Sequence, residues 1–410
     1  MVGGKLQGTE AVYLAAKAGH ETVLVDRREG TPASGLADRV VVADITADEE
    51  RARLLVRSCD AVLPACEDLT TLTWLAGRVP GWDVSLLFDL EAYLVSESKA
   101  ASRRLFDELG VPRPAPWPEC GFPAVVKPDS ASGSEGVRVV RNAAELDAAR
   151  ASLEAAGHEV VVEEYVAGPS LSLEVLAWGG RAVPLQVTGL EFDAAYDCKR
   201  VVAPVGEAPG RDPSVTAPAA AGPLDWAHAV GAGTLAAFDA AAVRLGEGLR
   251  LNGLMDVEVM VRGGEPKVLE IDARLPSQTP TAVLWSSGLN IVDALLATAA
   301  AAAPPPVDRG PRPACVYEHV HVRAGVLEVL GEHVMGSARP LALVPGFFGA
   351  AEALTDYRPG AATWSATLIA AGTSVEEARA CLGAARAEMA ACEKVTCVPE
   401  GEGLPEMSER

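Results

Sequence analysis

Over the first 95 residues, apolar and polar positions alternate in short bursts whose period switches between two and about 3.6. Apolar runs at 22–25, 39–43 and 61–64 read as strands, and each is closely followed by acids: Asp26, Asp44 and Glu67-Asp68. A helical period over 9–18 follows Gly3-Gly4-Lys5-Leu6-Gln7-Gly8. Strands alternating with helices predict a doubly wound α/β unit, whose ligands sit at the carboxyl ends of its strands. Only Met1 and Val2 precede the glycine turn, although a strand normally needs about five residues. Either this central strand is unusually short, or the chain starts later than the pattern requires.

From residue 96 the pattern changes. Ser96 or Ser98 can cap a helix running to Leu109, with Gly110 as its stop. A proline-rich connector at 111–116 leads to strands at 124–127 and 137–140, a helix near 143–156 and a strand at 159–162. The run Glu163-Glu164-Tyr165-Val166 then precedes a strand at 171–177. Residues 203–223, rich in Pro, Ala and Gly, read as a loop, and 224–245 as a long Ala-rich helix. Further on come a helix at 290–303, a proline linker at 304–313, a strand at 316–322 and a helix near 375–392. The polar tail at 400–410 is expected to be disordered. His319 and His321 share a face of the 316–322 strand, but no third ligand accompanies them.

The most informative stretch is 254–281. Apolar runs at 257–261 and 268–271 flank Arg262-Gly263-Gly264-Glu265, which predicts a β-hairpin with a glycine turn. Glu258 lies on one strand, Glu270 and Asp272 on the other, and alternation places Glu270 and Asp272 on one face. A register that sets Glu258 opposite them makes three carboxylates converge. Such a cluster is unfavourable unless a divalent cation neutralises it, and hard oxygen ligands favour Mg2+. Arg274 follows on the same face. Upstream, the small residues Ser130, Ser132, Gly133 and Ser134 sit in a loop whose backbone N–H groups can approach phosphate oxygens. Lys127 before that loop and Lys99 at the helix start add positive charge. No Gly-Lys-Ser/Thr triplet follows, so this is not a Walker loop.

Composition narrows the partners. Net charge is −21, from 35 basic and 56 acidic residues, which argues against nucleic acid, whose recognition needs a basic face. Eight cysteines without a C-x-x-C pair indicate neither a structural zinc site nor a disulfide framework. The N-terminus has no long apolar segment and the Ala-rich run at 297–303 stops at Pro304. The expectation is a cytoplasmic protein with no membrane span.

Together, Lys99, Lys127, the 130–136 loop, Glu163 to Val166, Glu258 and Glu270-x-Asp272-x-Arg274 resemble the ATP-grasp family of carboxylate–amine ligases. The spacing of 12 between the two glutamates fits that family's metal hairpin. Within the family, Tyr196-Asp197-Cys198, Met255-Asp256-Val257-Glu258, the run from Glu270 to Thr281 and Tyr317-Glu318-His319 look like the ligases of pyrrolysine biosynthesis. That closer likeness covers roughly residues 1–322. The resemblance implies an N-terminal Rossmann-like α/β domain (1–95), a two-lobed α+β ATP-grasp site (96–166 and 167–303) and a C-terminal extension (304–410). It implies ATP and Mg2+ as cofactors, and 3-methylornithine and L-lysine as small-molecule substrates, with a homodimer as the candidate assembly. Lys99, Lys127, the loop and the Glu163, Glu164, Tyr165 and Val166 connector are then nucleotide groups. Glu174 is a candidate for the ribose, because Ser170 stands where many members carry an acid. Glu258, Glu270 and Asp272 hold the metal, and Arg274 is the catalytic arginine that binds the reacting carboxylate. Asp197, Asp256, Ser277, Gln278, Thr279 and Glu318 are candidates around methylornithine, and Lys5, Glu67 and Asp68 around the second substrate.

Overall fold

The computed structural model describes residues 1–129, 136–206, 230–300 and 313–398. The N-terminal unit has the parallel pairing that its alternating pattern predicts. Strand Val23–Asp26 pairs with Arg39–Val42, and Ala61–Val62 with Ser85–Leu86. The two pairs are joined through Val2, which bridges to both Val25 and Pro64. The short first strand is therefore a one-residue bridge. Its chain runs almost directly into the helix Leu6–Lys17, one face of which packs in the main core.

Ser98 caps the helix Lys99–Leu109 by accepting from the Ala101 N–H, and Gly110 closes it. The small lobe that follows is a three-stranded antiparallel sheet, Ala124–Pro128 between Arg138–Val140 and Val160–Glu164, covered by the helix Ala143–Ala155. The largest sheet begins with the predicted hairpin, Gly253–Arg262 and Glu265–Asp272. Its order continues through Ser170–Trp178, Arg181–Phe192 and Cys198–Ala203. Cys198–Ala203 then pairs antiparallel with Ala314–Arg323, so the sheet runs on into the C-terminal region to reach eleven described strands. The reason is apolar continuity: Val201, Val202, Val316 and Val320 are fully buried in adjoining cores.

Three readings of the chain need correction or extension. The long helix starts at Ala232, with Gly231 in extended conformation as its cap, rather than at 224; residues 224–229 lie outside the described residues, as does most of the 203–223 loop. The helix at 290–303 is Ile291–Ala299, capped by Asn290; the linker at 304–312 and the tail from 399 lie outside the described residues. A helix not anticipated, Thr279–Ser287, starts immediately after Gln278, with Pro280 in its first turn. His319 and His321 bond through Nδ1 to Thr367 and Ser365, both at 2.9 Å, which accounts for their shared face without a metal. All eight cysteines are free thiols. Among the described residues no single helix is long and apolar enough to cross a membrane; the pair Thr279–Ser287 and Ile291–Ala299 passes that test together but is bent by 96°, and its apolar residues lie in the core.

Candidate active site

The hairpin turns on Gly263 and Gly264, with φ of 60° and 85°, a conformation that costs glycine little and a branched side chain much. Its register sets Glu258 opposite Glu270 and Asp256 opposite Asp272. Leu269 is one residue too many for the ladder, because Val259 already faces Val268; this bulge lies beside the acid pair. Val257, Val259 and Ile271 alternate into the core. The four acids therefore share the opposite face, where they line a cavity of about 270 Å³ together with Lys99 and Arg274.

Their charges are costly there. Burial, then repulsion from Glu270 and Asp256, pushes Glu258 well above the carboxylate range. Burial raises Asp256 to about 7 despite the Ser172 hydroxyl donating at 2.5 Å. Burial raises Asp272 to about 6, with Arg274 pulling the other way. Arg274 Nη2 lies 3.1 Å from Asp272 Oδ2 and 3.0 Å from Glu67 Oε1. Among the described residues the hairpin acids do not bring three ligand atoms within 4.8 Å of one another, and Asp272 is paired with Arg274. The acid set still fits magnesium, which takes one or two carboxylates and completes its shell with water and phosphate oxygens. Glu258 and Glu270 are the pair placed for it, with Asp272 at the edge.

A second cavity, about 530 Å³, lies over the strand ends of the N-terminal unit. Lys5, Asp68, Arg27 and Asp44 line it, so both charge signs face its interior. Asp26 is buried and accepts from the Gly4 and Arg28 N–H groups, both at 2.8 Å, and these bonds hold its carboxyl below the usual range against its burial. Five residues line both cavities: Glu67, Asp197, Arg274, Ser277 and Glu332. Arg274 thus stands at a neck between an acidic chamber and a mixed-charge chamber.

Other predicted residues fall into place unevenly. Ser277, Gln278 and Thr279 line the acidic chamber, and Gln278 Nε2 donates to the Cys198 carbonyl at 3.4 Å. Asp197 is at the neck, although its Oδ2 already accepts from His333. Ser130, Ser132, Gly133 and Ser134 lie outside the described residues. Lys127 is buried in the small lobe 2.5 Å from Glu163 Oε1, with Arg103 at 2.8 Å on the other oxygen, so Glu163 orders basic groups there. Glu164 ties the lobe to the hairpin through Arg262 and Lys267. The Glu164 and Tyr165 N–H groups donate to the Ala115 and Pro123 carbonyls, so neither is the free donor an adenine edge needs; Val166 is buried.

Two assignments are not brought to a cavity wall. Glu174 is fully buried beside Asp256 on the neighbouring strand and lines neither cavity. Glu318 is equally buried and is held between Arg200, whose Nε donates at 2.8 Å, and Arg386, within a structural ion network. Conversely, Glu332 and Arg103 line the chamber without any sequence signal that placed them there, and Tyr93 lines it as well. Asp26, Asp44 and Glu67-Asp68 were visible as acids at or just after strand ends, and with Lys5 they all line the second cavity.

This architecture, an acidic hairpin beside a small antiparallel lobe and a Rossmann-like unit, defines the ATP-grasp class. A family model described as an ATP-grasp domain matches residues 96–198. The fold superimposes on a biotin carboxylase–β-γ-ATP complex from Campylobacter jejuni with a TM-score of 0.69, at 15% identity over 94% of this chain and 90% of that one. It superimposes on an L-amino acid ligase from Bacillus licheniformis with a TM-score of 0.62, at 16% identity over 94% and 96%. Sequence goes further than fold. The chain is 34% identical to the 3-methyl-D-ornithine–L-lysine ligase of Methanosarcina barkeri over 82% of its length and 83% of that protein. It is 33% identical to the Methanosarcina mazei ligase of the same name, over 82% and 81%. The chain belongs to this family of ATP-grasp ligases.

Proposed function

We propose that the protein joins the α-carboxylate of (3R)-3-methyl-D-ornithine to the side-chain amine of L-lysine, at the expense of ATP, in pyrrolysine biosynthesis. One observation carries the mechanism: Arg274 sits at the neck shared by the acidic chamber and the mixed-charge chamber. A ligase of this kind must bring a nucleotide, a carboxylate and an amine to one point, and the neck is that point.

A carboxylate is a poor acyl donor. ATP, when bound, supplies the phosphoryl group that makes it an acyl phosphate; Glu258 and Glu270 would hold Mg2+, which would neutralise phosphate charge there. The chain's own groups do the rest. Lys99, at the first turn of its helix, faces the acidic chamber and orients phosphate; Lys127 and the 130–134 loop belong to the same role. Arg274 binds the reacting carboxylate and then faces the oxyanion that forms as the amine attacks. Ser277, Gln278 and Thr279 line the donor side. Lys5, Glu67 and Asp68, with Arg27 and Asp44 beside them, offer both charge signs to the α-carboxylate and α-ammonium of lysine.

The reading extends to a cytoplasmic enzyme that acts on small molecules, with a homodimer as the candidate assembly; light scattering tests the assembly. The deciding experiment is mass spectrometry of products from ATP, Mg2+, lysine and 3-methylornithine. The dipeptide linked through the lysine side chain, with ADP and phosphate, is expected. ADP formation only with other amino-acid pairs identifies a different dipeptide-forming ligase and overturns the substrate assignment.

A further inference from the structure

Of the five residues at the neck, three are acids and one is a base, so the neck is negative. The acids are not equivalent. Asp197 is used by His333, and Glu67 is bonded to Arg274 and, at 3.0 Å, to Gln7. Glu332 accepts from the Ser277 hydroxyl at 2.6 Å and from the Gln278 amide, both neutral donors, while the nearby cation Arg274 is bonded to Asp272 and Glu67 instead.

Glu332 is also held in place. The Gly331 N–H donates to Asp193 Oδ2 at 3.0 Å, and the His333 N–H to Asp197 Oδ2 at 3.1 Å. A Cβ on Gly331 would lie 2.1 Å from the Asp197 carboxyl carbon, so only glycine lets the two segments approach this closely. Asp193, Asp197 and His333 bring ligand atoms within 4.8 Å of one another, but both carboxylates already accept backbone N–H groups and act as a clamp. The clamp fixes the residue between them at the neck.

An α-amino acid carries its carboxylate and its ammonium on one carbon. Whatever holds the ammonium must therefore sit beside whatever holds the carboxylate. With Arg274 on the reacting carboxylate, we infer that Glu332 receives the α-ammonium of the acyl-donor amino acid and so selects α-amino donors. This rests on the ligase reading above and adds a specificity residue to it.

The test uses full-length enzyme with the variants Glu332→Gln, which keeps shape and hydrogen bonding but not charge, and Glu332→Asp, which keeps charge. KM is measured separately for 3-methylornithine, lysine and ATP, and kcat/KM for a donor analogue lacking the α-amine. Glu332→Gln is expected to raise donor KM about 10- to 100-fold, as loss of a charged hydrogen bond does, and to erode discrimination against the desamino donor by the same factor. Lysine and ATP KM stay within about twofold, and Glu332→Asp recovers part of the loss. An unchanged donor KM in Glu332→Gln, or a change confined to lysine KM or to kcat, overturns this role. Wild-type enzyme run alongside separates the two levels: dipeptide from wild type with an unaffected variant sinks only the Glu332 assignment, whereas no dipeptide from wild type sinks the ligase reading and this inference with it.

Discussion

Asp256→Asn gives the sharpest measurement of the charge stored in the hairpin. The native carboxylate is 6% exposed, faces Asp272 across the ladder and is repelled by it and by Glu270. Its folded value is about 7 against an ordinary 3.8. At about 1.4 kcal/mol per pH unit, holding it ionised above pH 7 costs the metal-free fold about 4 kcal/mol. Burial is the largest part of that cost and repulsion shared with Asp272 and Glu270 adds to it, so neutralising Asp256 alone recovers about 2–4 kcal/mol. The asparagine oxygen still accepts from the Ser172 hydroxyl. The sign follows from the raised value: the native acid is harmless while protonated, and stability is lost as pH rises from about 4 through about 7. In metal-free protein, Asp256→Asn should match wild type at pH 4 and melt several degrees higher at pH 8, measured by differential scanning fluorimetry. Mg2+ should stabilise the variant less than wild type, because less repulsion is left to relieve. Equal melting temperatures at pH 8, or the same gain at pH 4, would refute the reasoning.

Three further outcomes follow from the site. Glu270→Gln should abolish ATP-dependent ligation while leaving the melting temperature at or above that of wild type; near-normal turnover in a product assay removes Glu270 from the metal pair. Arg274→Ala should lower kcat by at least about 100-fold, the scale of losing a charge-stabilising donor, with ATP affinity by calorimetry mostly retained. Lost nucleotide affinity instead would put Arg274 in the phosphate site. Glu318→Ala leaves Arg200 and Arg386 partly uncompensated in the core and should cost about 3–5 kcal/mol in chemical denaturation. Substrate KM should not move in folded Glu318→Ala, because Glu318 lines neither cavity; a selective KM effect restores it as a substrate residue.

Sequence alone determined the elements whose signals are local. Alternating apolar residues around Gly263-Gly264 specify a hairpin, and period two puts Glu270 and Asp272 on one face whatever surrounds them. Ser98 and Gly110 bound a helix by chemistry confined to its two ends, and the structure places both as caps. Motif spacing carried the family, because Glu258, Glu270 and Arg274 are all set by the one hairpin and its continuation. What sequence could not determine was burial and partnership between distant segments. Glu174 and Glu318 carry the same side chain as Glu270, yet one is buried beside Asp256 on the neighbouring strand and the other between two arginines 68 and 118 residues away in sequence. Glu332 reaches the neck only because Asp193 and Asp197, more than 130 residues earlier, clamp its neighbours. The hairpin therefore made its acids legible as a metal site, while tertiary packing decided which other carboxylates serve the reaction and which hold the fold, because charge is given meaning by the solvent and partners a distant segment leaves it.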